Sequence, residues 1–292
     1  MRKILLFITI VFIGCSETPK SNVFFSESLP TNIPISFRLD IVPDGMLIHS
    51  GVFSPDLEQY YYTLSDQNFF QFTVKMIYKK GNEWSKPVNA FFNSEYSEHG
   101  MNFSPDGQYL YFSSTRPTGI EGIPETWHIW RSHKLNGEWS EAEFIDIPNL
   151  RDRLVSHPSI SNDGSIYFHS GAPNYADLEL FYAQQIDGIF QEAIKLPSEV
   201  NIKPSLCTPY IAPDESYIIF EGTSILYISF KDENGKWKEA KALDDSINKN
   251  GRGNPYITPD EKYLFFAAGV EPNPNEKWGV YWVSTEHIFN RN

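Results

Sequence analysis

The chain has 292 residues, 37 acidic and 24 basic side chains, a formal charge of -13 and two cysteines. That excess of acid argues against nucleic acid as a partner, because phosphate binding draws its affinity from clustered Lys and Arg. With so few cysteines there is no disulfide framework, and a packed core has to hold the fold together.

In chain order, Met1-Arg2-Lys3 and the apolar run Ile4 to Ile13 read as a secretory signal. The run is too short for a bilayer-spanning helix, which needs roughly 20 residues. It ends in Phe12-Ile13-Gly14-Cys15, which resembles the lipobox of bacterial lipoproteins. The resemblance implies cleavage before an acylated Cys15 and anchoring by more than one acyl chain, enough for a stable membrane tether. The alternative is a conventional cleaved signal with an incidental cysteine. Removal of Arg2 and Lys3 takes the charge from -13 to -15. Residues 16–33 are polar, contain prolines and lack sustained periodicity, as expected of a tether. The expected division is a signal peptide over 1–14, a tether over 15–33 and a single domain over 34–292.

Pro34 to Ile41 alternates Ile35, Phe37, Leu39 and Ile41 with polar residues and predicts a half-buried edge strand. Five related stretches follow: "GVFSPDLEQYYYTLS", "GMNFSPDGQYLYFSS", "HPSISNDGSIYFHSG", "TPYIAPDESYIIFEG" and "NPYITPDEKYLFFAAG". Their turn positions Pro55, Pro105, Asn162, Pro213 and Pro259 are spaced by 50, 57, 51 and 46 residues, the signature of an array of supersecondary units.

Within each unit, Pro at the second turn position sets φ, and the adjacent Asp can accept from nearby backbone N–H groups. The next strand, such as "YLYFSS", is apolar almost throughout, as a strand covered on both faces must be. A third strand, a turn such as "NGEW" and a more polar fourth strand complete the unit. Trp84, Trp139 and Trp237 recur at that turn and are expected to pack on the outer strands. Residues 115–127, "TRPTGIEGIPETW", form a long insertion between the second and third strands of the second unit. Long loops on a rigid scaffold often carry binding function.

Four antiparallel strands in roughly 45 to 50 residues make a propeller blade. The fifth unit lacks an outer strand, and pairing it with Pro34 to Ile41 would close the ring and cover the free edge. The expectation is an all-β, five-bladed β-propeller closed by an N-terminal strand that completes the last blade. A six-bladed ring is the alternative, but no unassigned stretch is long enough for it.

The run "FSPDGQYLYFSS", with "PYIAPDESYIIFEG" and "PYITPDEKYLFFAAG", resembles the TolB-type, WD40-like propeller repeats of exported bacterial proteins. The likeness extends over nearly all of residues 34–286 and implies the fold rather than an activity. One departure limits what can be transferred. The family's third strand usually begins with Asp, whereas the corresponding positions here are Thr73, His128, Glu179, Ile225 and Gly279.

Function has to be argued from sites, not fold. Loops leading into the first strands line one mouth of a propeller channel, and they carry His49, Glu98, His99, Arg151, Arg153, His157 and Arg252 as candidate ligand-binding residues. His49 and His99 hold the same place relative to the turn, with His157 offset by one. Neutral imidazoles suit a polar ligand or a metal, but repetition alone can also place them around a water-filled channel. A glycan-cleaving reading would draw on Glu95, Glu98 and Asp152, with carboxyls about 5 to 9.5 Å apart. No nucleophile elbow, zincin motif, phosphate loop or dinucleotide fingerprint is present.

The expected protein is therefore a non-catalytic binding or scaffolding module for a protein or glycan partner, with no cofactor and no nucleic acid, monomeric, and touching the membrane only through its lipid. It would sit in the cell envelope, facing the periplasm or the cell surface. A glycan-active hydrolase or lyase is the alternative.

Overall fold

In a computed structural model of the chain, residues 29–81 and 83–289 are described, apart from the side chains of residues 50 and 252. Cys15, the signal and most of the expected tether lie outside the described residues. The fold is a five-bladed β-propeller. The first strands of the blades are Leu47–Phe53, Glu98–Phe103, Leu154–Ile160, Leu206–Ile211 and Gly251–Ile257. Each pairs antiparallel with the second strand of its own blade, and the third strand follows on the far side.

The recurring turn explains why the chain repeats itself. In every blade the first turn residue accepts a bond from the fourth, as in Gly107 N to Ser104 O at 2.8 Å. That fourth residue is left-handed throughout: Leu57, Gly107, Gly164, Glu215 and Glu261 have φ between 57° and 83°. The Asp carboxylate holds the turn, accepting from Ser104 Oγ at 2.6 Å and from Gln108 N at 3.0 Å in blade two. Blade four has Ala212 at the first position and uses Ser216 Oγ instead, at 2.6 Å from Asp214. A type I turn followed by a left-handed residue joins two strands in hairpin register.

The second strands form the heart of the core. Tyr60 to Tyr62, Leu110 to Phe112, Ile166 to Phe168, Ile218 to Phe220 and Leu264 to Phe266 are all buried, so both faces of each strand are covered. Trp84, Trp139 and Trp237 pack partly buried against this core. Trp139 stacks on Phe91 at 5.3 Å and Trp237 lies under Lys231 at 4.9 Å. The outer strands are shorter than expected, shrinking to pairs such as Glu143–Phe144 and Lys241–Ala242.

The N-terminal strand closes the ring as expected, pairing Ile35 with Trp282 and Phe37 with Val280. Phe37 meets Tyr60 of blade one at 5.2 Å and Phe265 of blade five at 5.1 Å, so one ring seals the joint. The strand is only Ile35–Phe37, however, and not the full run to Ile41. Arg38 turns left-handed at φ 44° and pairs with Asp40 at 2.7 Å, which ends the strand in a 3-10 turn. Ile41 is still buried, 4% exposed, because the helical turn folds it back onto the core.

Candidate functional site

All five first strands carry a β-bulge at the same level, seen as register shifts after Ile48, His99, Ser156, Cys207 and Gly253. At four of them the bulged residue is left-handed: Gly100, His157, Thr208 and Asn254, with φ from 48° to 55°. Bulges re-aim side chains next to binding sites, and non-glycine residues keep this conformation only where their surroundings hold them. The three non-glycine residues are held from the second strand or first strand of the blade beside them. His157 N donates to Ser113 Oγ at 2.9 Å, Thr208 N to His169 Nδ1 at 3.2 Å and Asn254 N to Thr208 Oγ1 at 3.3 Å.

These bonds place a polar plug in the channel. His157 Nε2 lies 3.1 Å from Asn254 Oδ1 and its Nδ1 lies 3.1 Å from Ser156 Oγ. The same Ser156 Oγ is 2.9 Å from His99 Nε2 and 3.0 Å from Ser113 Oγ. If Nε2–H of His157 donates to Asn254, Nδ1 accepts from the Ser156 hydroxyl, and the His157 ring is satisfied while neutral. Burial agrees: it pushes His157 down to about 4 and His49 down to about 3, and holds His99 and His169 well below the usual histidine range. The His99 and His157 rings are 4.3 Å apart, with His169 5.0 Å beyond.

An aromatic wall stands beside the plug. His99 stacks on Trp127 at 3.8 Å, and Phe72 meets His99 and His49 edgewise or tilted at 5.2 Å each. His49 lies 5.1 Å from Trp278, and its Nε2 is 2.7 Å from Ser65 Oγ. Trp127 Nε1 donates to Tyr175 OH at 2.5 Å. Outside this wall, Phe69, Phe70 and Tyr175 on the loops between second and third strands are 45%, 82% and 53% exposed.

The expected mouth residues therefore separate. His49, His99 and His157 do meet at one end of the axis. Glu98 is buried beside them but committed elsewhere: Arg116 holds its carboxylate at 2.9 Å, with Ser94 at 2.5 Å and Ser114 at 3.0 Å. Arg116 comes from the long insertion, whose role is thus partly to clamp the entry to blade two. Arg151 is exposed and paired with Asp146. Arg153 reaches Ser170 Oγ at 3.3 Å, and the Arg252 side chain lies outside the described residues. Among the described residues, no group of three or more His, Cys, Asp or Glu could hold a metal ion.

Sequence reasoning missed His169 and the rings of Phe72, Trp127 and Trp278. A signal for them existed: each ring immediately precedes one of the third-strand positions Thr73, His128 and Gly279, so an aromatic recurs there in three blades.

Below the plug the axis holds a small cavity of about 40 Å³ that Gly51, Thr63, Met101 and Pro158 help to line. A larger one, about 260 Å³, lies at the turn end. A peripheral cleft of about 580 Å³ runs between blade four and the C-terminal helix Glu286–Phe289.

No protein family matches the chain by its sequence profile, and no curated protein matches it by sequence. Solved propellers are similar in fold. A candidate TolB from Agrobacterium tumefaciens is 14% identical, with 88% of this chain and 99% of that one covered and a TM-score of 0.45. The calcium-binding protein regucalcin from the same organism is 13% identical over 87% and 94%, with a TM-score of 0.47. A puromycin-hydrolyzing peptidase of Mycobacterium tuberculosis is 11% identical over 76% of this chain, with a TM-score of 0.45. The chain spans only 34% of that peptidase's length.

Proposed function

We propose that this protein is a lipid-anchored, exported binding module that holds a protein or glycan partner on its loop face without turning it over. The observation that carries this reading is the state of the histidine end of the channel. It is filled by neutral histidines whose hydrogen bonds run between blades, and exposed aromatic rings stand around it. Exposed aromatics on a rigid frame supply contact area at low entropic cost, and such rings dominate binding hot spots. Catalysis by paired carboxylates finds little support. Glu98 is tied to Arg116, while Glu95 and Asp152 are exposed on separate loops.

The test is capture of envelope proteins and a glycan array probed in parallel with the wild type and with Phe70→Ser/Tyr175→Ser. Loss of a specific partner in the double variant supports the reading. Release of cleaved glycan by the wild type would favour the hydrolase or lyase alternative. The anchor rests on the first 15 residues alone, and Cys15→Ala should move the protein from the membrane fraction to the soluble one.

A further inference from the structure

We propose that the turn end of the channel is a second docking site, taking one aromatic side chain of a peptide segment that carries Lys or Arg on both sides of it. This site lies on the opposite face from the histidine plug and does not depend on the reading of that face.

The repeat builds the cavity in rings. Pro55, Pro105, Pro213 and Pro259 stand around it, and Phe53, Phe103, Ile160, Ile211 and Ile257 contribute one apolar residue per blade beneath them. Its polar atoms are largely spoken for: Ser159 Oγ accepts from Ile211 N at 2.9 Å, and Tyr256 OH donates to Phe53 O at 3.3 Å. Asn102 is the exception. It lines this cavity and the smaller one above, half-buried, and its side-chain amide makes no hydrogen bond among the described residues. An apolar cavity of roughly 150 Å³ suffices to bind benzene. At about 260 Å³ this one has room for an aromatic side chain, and the Asn102 amide is available to the peptide backbone.

The charge comes from the same turns. Asp56, Asp106, Asp163, Asp214 and Asp260 place one exposed acid per blade at this end. Lys262 pairs with Asp260 at 3.5 Å, and the neighbouring Glu58 and Glu215 are matched by Lys79 and Lys231. The other four aspartates have no salt bridge among the described residues. Their turn bonds all go to Oδ1, which leaves Oδ2 for a partner. Apolar walls inside an acidic rim match an aromatic residue between cations, and they disfavour an acidic or purely polar ligand.

Isothermal titration of the full-length protein in detergent with acetyl-Lys-Lys-Phe-Lys-Lys-amide tests this. Binding should weaken about tenfold or more when Ala replaces the peptide's Phe or Glu replaces its Lys residues. Asp106→Asn/Asp163→Asn/Asp214→Asn keeps the Oδ1 acceptor in each turn, so the fold survives while affinity for the cationic peptide drops by a similar factor. Phe70→Ser, on the opposite face, should leave it unchanged. The proposal is overturned if the wild type does not bind the peptide, if Phe and Ala peptides bind alike, or if the triple variant binds as well as the wild type.

Discussion

His157 Nε2 and Asn254 Oδ1, 3.1 Å apart, join blade three to blade five across the channel axis. Adjacent blades share long packed seams, but these two blades are not neighbours, so the bond ties the ring through its centre. Removing one partner leaves the other unsatisfied in a closed site, at a cost of about 1–3 kcal/mol. His157→Ala and Asn254→Ala should each lower the unfolding free energy from urea titration by that order. The double variant should be little worse than the weaker single, because the residues act as one unit. Additive losses would show that the cross-axis bond is not formed.

Stability should depend on pH through the plug. An unfolded histidine protonates near 6.5, whereas His157 stays neutral down to about 4 and His49 down to about 3 because both are buried. Between those values the unfolded chain binds more protons than the folded one. The stabilisation is therefore fully present above about pH 6.5 and is lost as pH falls toward 4. One fully buried histidine would contribute a slope of about 1.4 kcal/mol per pH unit. His49 and His157 keep some exposed surface, so solvent screening makes their share smaller. Melting temperature measured from pH 7.5 to 4.5 should fall, and His157→Gln should flatten the curve.

Glu98 is 1% exposed and depends on Arg116 for its countercharge. Arg116→Ala leaves a buried carboxylate unpaired and should destabilise the protein by about 3–5 kcal/mol. Adding Glu98→Gln to that variant should recover much of the loss, since the uncompensated charge is then gone. Chemical denaturation of the two variants decides the matter.

Gly100 combines a left-handed φ of 55° with a tight contact: a Cβ there would lie 2.8 Å from His157 Cδ2. Gly107 has a similar φ of 69°, but the nearest atom its Cβ would meet is Pro55 Cγ, at 3.3 Å. Left-handed backbone costs an ordinary residue roughly 1–2 kcal/mol. Gly107→Ala should cost about that much, and Gly100→Ala should cost more and shift the His157 ring resonances. Equal losses would mean that the histidine does not pack against Gly100.

Much of the fold was legible because its signals are local. The S-P-D turn dictates a hairpin through Pro φ and the Asp acceptor, and the apolar second strands announce burial on both faces. Closure by Ile35–Phe37 followed from one unpaired edge and one spare strand, although Arg38 ended that strand sooner than the alternation suggested. The site was legible only in part. Spacing from the turn put His49, His99 and His157 at one end of the channel, yet it could not show that Glu98 would be claimed by Arg116 from the insertion, 18 positions along the chain.

By itself the sequence determined the blade, its number and the way the ring closes, because hairpin turns and hydrophobic periodicity act within a few residues of one another. Tertiary structure alone decided what the channel contains. The bonds that plug it run between blades, from Ser113 to His157, from His169 to Thr208 and from His157 to Asn254, and they exist only once five separate first-strand bulges converge on one axis.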